Sequence, residues 1–294
     1  MKQIFQSFFI TVIMILNGTI GAMNVQNIER IFAIKPEEFS EDGVIKVTIP
    51  RTDIKVSVQN YVIDPFMGTS SWVSFQKGSK QGVETMIMGD IVLLDHEVNV
   101  AISAALENNI EVTALHNHLF YDSPKVHFMH INSEGKADTV ATGVKKIFDA
   151  IKTAKPVQFF QVPPANLINA ESLEKIIGVK GQTKNGIAKF VIGRQITGSC
   201  SCPIGKNMGI NTWIAFGGNQ NGAVVNGDFA VLENELQPLL KALRKENINV
   251  VAIHNHMIKE NPRMLFVHFW GTGKAEALAQ GFKTALDQTS SLKK

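Results

Sequence analysis

Cysteine is almost missing from this chain: two thiols among 294 residues cannot build a disulfide scaffold, so stability has to come from packing. A surplus of either charge is missing too. Lys and Arg total 29 against 26 Asp and Glu, a formal net charge of +3; proteins that hold nucleic acid through bulk charge carry a far more basic face. Trp and Tyr are scarce, three and two residues against 18 Phe, so the aromatics suit a core better than a platform for stacking sugars or bases. Past Ala22 no apolar run reaches the roughly 18 residues that a membrane span requires. Gly271-Thr272-Gly273-Lys274 falls short of phosphate-loop spacing, and its equivalent is Ser133-Glu134-Gly135-Lys136. It reads as a turn, and no nucleotide cofactor is expected. What remains is a globular composition, 45% hydrophobic and 19% charged.

The N-terminus has the order of a secretory leader. Lys2 precedes an apolar stretch from Ile4 to Leu16, interrupted by Gln6, Ser7 and Thr11, and Ile20-Gly21-Ala22 offers a cleavage site. The expectation is a signal peptide over 1–22 and a mature chain free in the periplasm or secreted. No cysteine stands beside the cleavage site to take a lipid anchor.

The body reads as a duplication. Met88–Ala150 matches Asn226–Gln288 without a gap, at a constant offset of 138 (226 − 88). Within it Gly89-Asp90 becomes Gly227-Asp228, His116-Asn117-His118 becomes His254-Asn255-His256, and Pro124 becomes Pro262. Upstream, Ile28–Lys35 recurs as Leu173–Lys180, Arg51 as Arg194, and Met67-Gly68 with Trp72 as Met208-Gly209 with Trp213. The expected division is repeat 1 over 23–155, then a linker and repeat 2 over 156–294. The join lies in the proline-bearing stretch from Lys155 to Asn169. Each unit has an ordinary domain size.

Strands are predicted at Val44–Ile49, Ser71–Gln76, Glu84–Leu94, Glu111–His118 and Lys125–Ile131. Helices are predicted at His96–Asn108, capped by Asp95, and at Lys136–Ile151. The expected class is α+β: two tandem homologous units, each roughly ββαββα, with an antiparallel sheet layered with helices and a pseudo-twofold relating the units.

Six of the eight histidines form two equivalent triplets, His116, His118, His130 and His254, His256, His268. Residues i and i+2 of a strand share a face, about 6.6 Å apart along it. A returning antiparallel strand would set His118 opposite Val126 and His116 opposite Phe128, with His130 diagonal to His116. Imidazoles so gathered suit Zn²⁺, with Cu or Fe as alternatives; zinc sits about 2.0–2.1 Å from each nitrogen. Two other readings fit the same residues: a polar ligand pocket, and buried histidines that satisfy one another.

Carboxylates occupy matching places. Asp90 and Asp228, with Glu97 and Glu235 in a first helical turn, are candidates for a fourth ligand, for orienting an imidazole through its second nitrogen, or for a general base. Arg51 and Arg194 are candidates for binding an anion or for pairing with these acids. Cys200 and Cys202 are expected as two free thiols in an irregular loop, because an extended chain holds such neighbours at a separation that strains a disulfide.

The segments Val112–His118 and Val250–His256, the Gly-Asp lead-ins at Gly89-Asp90 and Gly227-Asp228, and the strands Pro124–His130 and Pro262–His268 resemble the signature of the LppY/LpqO family of exported bacterial proteins. The resemblance covers nearly the whole chain after the leader and implies export and a two-copy domain; it implies no activity. Many members resemble lipoproteins, and the missing cysteine departs from that pattern. Two functions are expected. One is an exported protein holding a transition metal through each triad, open to hydrolysis where a coordination position stays free. The other is a non-catalytic binding module of the envelope or a host surface. Its partner would be a small or surface ligand, not nucleic acid.

Overall fold

The computed structural model describes residues 24–158 and 160–292; the expected leader over 1–22 lies outside the described residues. Repeat 1 runs α1 (Val25–Phe32), β1 (Glu37–Phe39), β2 (Val44–Pro50), β3 (Ser57–Val58), β4 (Tyr61–Val62), β5 (Ser70–Lys77), β6 (Thr85–Leu94), α2 (Asp95–Glu107), β7 (Glu111–His116), β8 (Asp122–Ser123), β9 (Val126–Gly135) and α3 (Ala137–Thr153). Repeat 2 follows as α4 (Ala170–Ile177), β10 (Gln182–Lys184), β11 (Ile187–Gly193), β12 (Ile196–Thr197), β13 (Pro203–Ile204), β14 (Asn211–Gly218), β15 (Ala223–Leu232), α5 (Glu233–Lys245), β16 (Asn249–His254), β17 (Met264–Gly273) and α6 (Ala275–Leu286).

The mixed class and the large antiparallel sheet agree with expectation; the ββαββα order needs correction. Three long strands, β2, β5 and β6, precede α2, and a short helix opens each unit. That helix is held by its cap rather than by a long apolar stripe: Asn27 donates its N–H to the Asn24 side chain at 3.2 Å, and only Ile28 and Phe32 are buried. α2 starts one residue earlier than predicted. Leu94 is the cap, and its N–H donates to Glu97 Oε2 at 2.8 Å. Gly271-Thr272-Gly273 closes β17 rather than forming a free turn. Among the described residues no helix is long and apolar enough to cross a membrane.

All but five of the strands join one sheet, ordered β1-β2-β5-β6-β9-β7-β16-β17-β15-β14-β11-β10. Outward from the central pair, β7 and β16, each half repeats the same succession of strands. The central pair is in register only at Leu115↔Ile253. Bulges at Val112/Ala114 and Val250/Ala252 accompany this short contact. Buried backbone groups need partners, and helix side chains supply them. The Gln237 amide bonds both Val112 N and Val112 O, at 3.2 and 2.9 Å. Its equivalent, Asn99, does the same for Val250 N and Val250 O, at 2.8 and 3.0 Å. Each repeat thus lends an amide to the strand of the other.

Period-2 alternation decides the two faces of the sheet. Ile87, Ile91 and Leu93 of β6, Leu115 of β7 and Met129 and Ile131 of β9 face the helices, and a single core runs from these through Ile253, Val267 and Phe269 of repeat 2. Asp90, Val92, Phe128 and His130 face the other way. There only small satellite cores form, one around Val56, Val92, Val126 and Phe128 and one around Ile196, Ile210, Ala230 and Phe266.

Gly89 and Gly227 are required by close approach. A Cβ at Gly227 would lie 2.2 Å from Phe269 Cζ and 2.5 Å from the Trp213 carbonyl oxygen, and at Gly89 the nearest atom would be Trp72 O at 2.8 Å. Overpacking of this kind costs about 1–3 kcal/mol. Gly227→Ala is therefore expected to destabilise the chain by about 2–3 kcal/mol and Gly89→Ala by less, measured by urea unfolding; equal stability of both variants and wild type would contradict the packing described.

Cys200 and Cys202 form a disulfide, which corrects the expectation of free thiols. The loop is not extended: Ser201 sits at φ 59°, and the turn leaves the two Cα atoms 5.2 Å apart, inside the range a disulfide ordinarily spans.

Candidate functional site

The pairing of strands gathers the histidines. His130 of β9 is opposite Asp90 of β6 on one side and Ala114 of β7 on the other, while His116 is opposite Phe128, as predicted. β7 ends at His116, so His118 is not opposite Val126; it comes from the loop that follows. That loop is shaped by buried Asp122, whose carboxylate accepts the Val126 N–H at 2.8 Å and an ammonium hydrogen of Lys125 at 2.8 Å. In repeat 2 Glu260 accepts the Met264 N–H at 3.1 Å at the same place. Both loops end in a cis proline, Pro124 and Pro262.

The result is one cluster per repeat on the face opposite the helices. His116 lies 5.2 Å from His118 and 4.9 Å from His130, centroid to centroid, and the His254 cluster repeats both values. Phe128 and Phe266 lie flat against His118 and His256, with centroids 3.4 Å apart in each case. His118 Nε2 is 3.6 Å from Asp90 Oδ2, His256 Nε2 is 3.8 Å from Asp228 Oδ2, and His268 Nδ1 is 4.0 Å from Asp228 Oδ1. Trp72 and Trp213 stand opposite Asp90 and Asp228 in the register and flank the clusters.

Polar atoms here are left without partners. Among the described residues, buried Asp90 Oδ1, Asp228 Oδ1 and His254 Nδ1 find no hydrogen-bond partner, a costly state for a carboxylate. Burial pushes the Asp228 carboxyl up to about 6, against the opposing pull of His268 and the Val267 N–H. Burial also lowers the imidazoles. His118 is lowered by desolvation and by His116 and His130, with Asp90 opposing; His256 by desolvation, His254 and His268; His254 by desolvation and His268, against a raising backbone contact with Phe266. These three imidazoles are therefore neutral at pH 7, with ring lone pairs available.

Not every expected residue reaches the clusters. Glu97 and Glu235 turn to the arginines instead. Arg51 Nη1 and Nη2 donate to Glu97 at 2.7 and 3.0 Å, Arg51 also clasps Asp53, and Nη1 donates to Val92 O. Arg194 Nη1 donates to Glu235 at 2.5 Å and to Ala230 O at 2.9 Å. The acids are committed to buried guanidinium groups on the helix side of the sheet, so the structure does not bring them beside the histidines. His127 also stands apart, with Nε2 2.6 Å from Asp95 Oδ1. Phe128, Phe266 and the two tryptophans were not singled out for function; their recurrence at equivalent positions was the available signal. Among the described residues, no group of three or more His, Cys, Asp or Glu side chains is arranged, as it stands, to hold a metal ion.

Fold and cluster together define a two-repeat α+β protein with a histidine–aspartate group on the open sheet face of each repeat. The family described as Domain of Unknown Function (DUF1259) matches residues 26–150 and 171–288, and the chain belongs to it. Comparison with curated proteins gives no match. Among solved structures, a trimeric bacterial microcompartment shell protein, PduB, aligns over 86% of this chain and 89% of its own, at 11% identity and a TM-score of 0.19.

Proposed function

We propose that each repeat holds one transition-metal ion, Zn²⁺ or alternatively Cu or Fe, through His116, His118, His130 and Asp90 in repeat 1 and His254, His256, His268 and Asp228 in repeat 2. The observation that carries this reading is the gap between imidazole and carboxylate. Separations of 3.6, 3.8 and 4.0 Å are too long for a hydrogen bond. Two ligands each about 2.1 Å from one ion lie roughly 3.0–4.2 Å apart as the angle at the ion opens from 90° to 180°. The orphaned Oδ1 atoms and the neutral rings suit the same occupant. Capture requires the imidazoles to turn out of their stacks so that their nitrogens converge.

The reading extends to an exported, periplasmic or secreted protein of the LppY/LpqO type, its two sites related by a pseudo-twofold through the Leu115–Ile253 pair. Support for export is the leader-like order of residues 1–22, and for the family the doubled His-Asn-His segment. A ligand-binding module of the envelope is the second reading, favoured by the tryptophans beside each carboxylate.

Zinc-reconstituted, dialysed protein is expected to retain about two ions per chain, about one in His116→Ala or His254→Ala, and none in the double variant, read by plasma emission spectroscopy. Copper and iron are run in parallel. Wild-type protein that retains no metal after reconstitution would remove the proposal.

A further inference from the structure

Arg51 and Glu97 stand at the inner end of a cavity of about 410 Å³ on the helix side of the sheet, walled by Phe32, Ile34, Ile49, Phe148 and Ile151. In repeat 2 the equivalent place is filled by the chain's own tail. α6 stops at Leu286, whereas α3 continues to Thr153. Thr289-Ser290-Ser291 carry three hydroxyls that compete for backbone groups, whereas their equivalents at the 138-residue offset, Ile151-Lys152-Thr153, carry one. Freed from the helix, the tail lies over Arg194. Ser290 N–H and Oγ–H donate to Glu235 Oε1 at 2.8 and 2.7 Å, and Arg194 Nη2 donates to Ser290 Oγ at 2.8 Å. Thr289 beside it is 3% exposed.

Repeat 1 has the same ion pair without the plug. Asp53 takes the Nη2 donor of Arg51, at 3.0 Å, whose equivalent in Arg194 meets Ser290, and takes Nε as well, at 2.9 Å. Among the described residues Glu97 Oε1 receives only Arg51 Nη2, at 3.0 Å, and keeps acceptor capacity at the bottom of a largely apolar cavity. A buried carboxylate oxygen with a free lone pair attracts a donor.

We propose that this cavity binds a small molecule whose hydrogen-bond donor, a hydroxyl or an amine, takes the position of Ser290 against Glu97 while an apolar body packs on Phe32, Phe148 and Ile151. The volume falls within the roughly 300–1,000 Å³ of small-ligand pockets. At the inner end a carboxylate head would meet the carboxylates of Glu97 and Asp53, which already hold Arg51; Lys145, bonded to Asp149, and Lys152 line the cavity as well. The site lies across the sheet from the histidines and is independent of the metal reading.

Four probes of one shape, 3-phenylpropan-1-ol, 3-phenylpropylamine, 3-phenylpropionate and propylbenzene, are titrated into the full chain and followed by amide NMR shifts. The alcohol and the amine are expected to bind and to move Arg51, Phe148 and Ile151; the two probes without a donor head are expected to bind at least about tenfold more weakly. Ile151→Trp, which fills the cavity, is expected to abolish binding. So is a graft of the repeat-2 tail (Ala150→Gln, Ile151→Thr, Lys152→Ser, Thr153→Ser, Ala154→Leu), which supplies the plug. No binding of either donor-headed probe, equal binding of propylbenzene, or binding undiminished in Ile151→Trp would overturn the proposal.

Discussion

Glu235→Ala is expected to lower the stability of the chain by about 3–5 kcal/mol at pH 7, measured by denaturant unfolding, while leaving metal retention unchanged. The carboxylate is 8% exposed and its partner Arg194 is 9% exposed, so truncation strands a buried guanidinium whose remaining partners are Ala230 O and Ser290 Oγ. Burial works against ionisation of Glu235, but Arg194, the Leu232 N–H and Ser290 together outweigh it and hold the carboxyl at about 2, below the ordinary 4.5. A lowered carboxyl pKa means that the stabilisation is fully present above about pH 4.5. It is lost as pH falls toward 2, because the folded state must then take up a proton that the unfolded state already holds. The gap between variant and wild type should therefore narrow across that window. A loss under about 1 kcal/mol at pH 7 would show that the pair is not the buried lock described.

Asp228→Asn should act in the opposite sense. The substitution keeps the shape of a side chain that is 5% exposed and removes the ionisation that burial opposes. The shift from 3.8 to about 6 corresponds to roughly 2–3 kcal/mol, since one pKa unit is about 1.4 kcal/mol. Here the folded-state pKa is raised, so the wild type loses stability as pH rises through the interval from about 3.8 to 6. Metal-free Asp228→Asn is therefore expected to be more stable than wild type by about 2 kcal/mol at pH 8, with the difference vanishing below pH 3.8. Zinc retention in repeat 2 should fall at the same time, and in the wild type it should fall on acidification through about pH 6 as Asp228 takes up a proton. A variant less stable than wild type at pH 8 would mean that the carboxylate is paired in the metal-free fold.

These two acids, seven residues apart, show where reading the sequence stopped. Both recur at the 138-residue offset, and both were candidates for the same site. Asp228 faces away from the helices because it alternates with Phe229 along β15, and that alternation is visible in the sequence. Glu235 opens a helix, and its partner Arg194 is 41 residues away in the chain; the arginines were candidates for pairing with either acid, and neither period nor motif chose Glu235. Short elements escaped for a related reason. α1 and α4 have eight residues each, and β3, β4, β8, β12 and β13 two each, too few to display a period. The turn at Ser201 that closes the disulfide is a backbone choice which its neighbours did not announce.

The duplication, the long strands, and the histidines and aspartates recurring in step with the aliphatic alternation were legible from residue order alone, because side-chain direction in a strand follows from parity. That both clusters share one open face of one sheet was decided by tertiary contact. The β7–β16 junction rests on Leu115↔Ile253 and on the exchanged amides of Asn99 and Gln237, whose partners are 151 and 125 residues distant. Hydrogen bonds over such spans close only when the whole sheet is assembled.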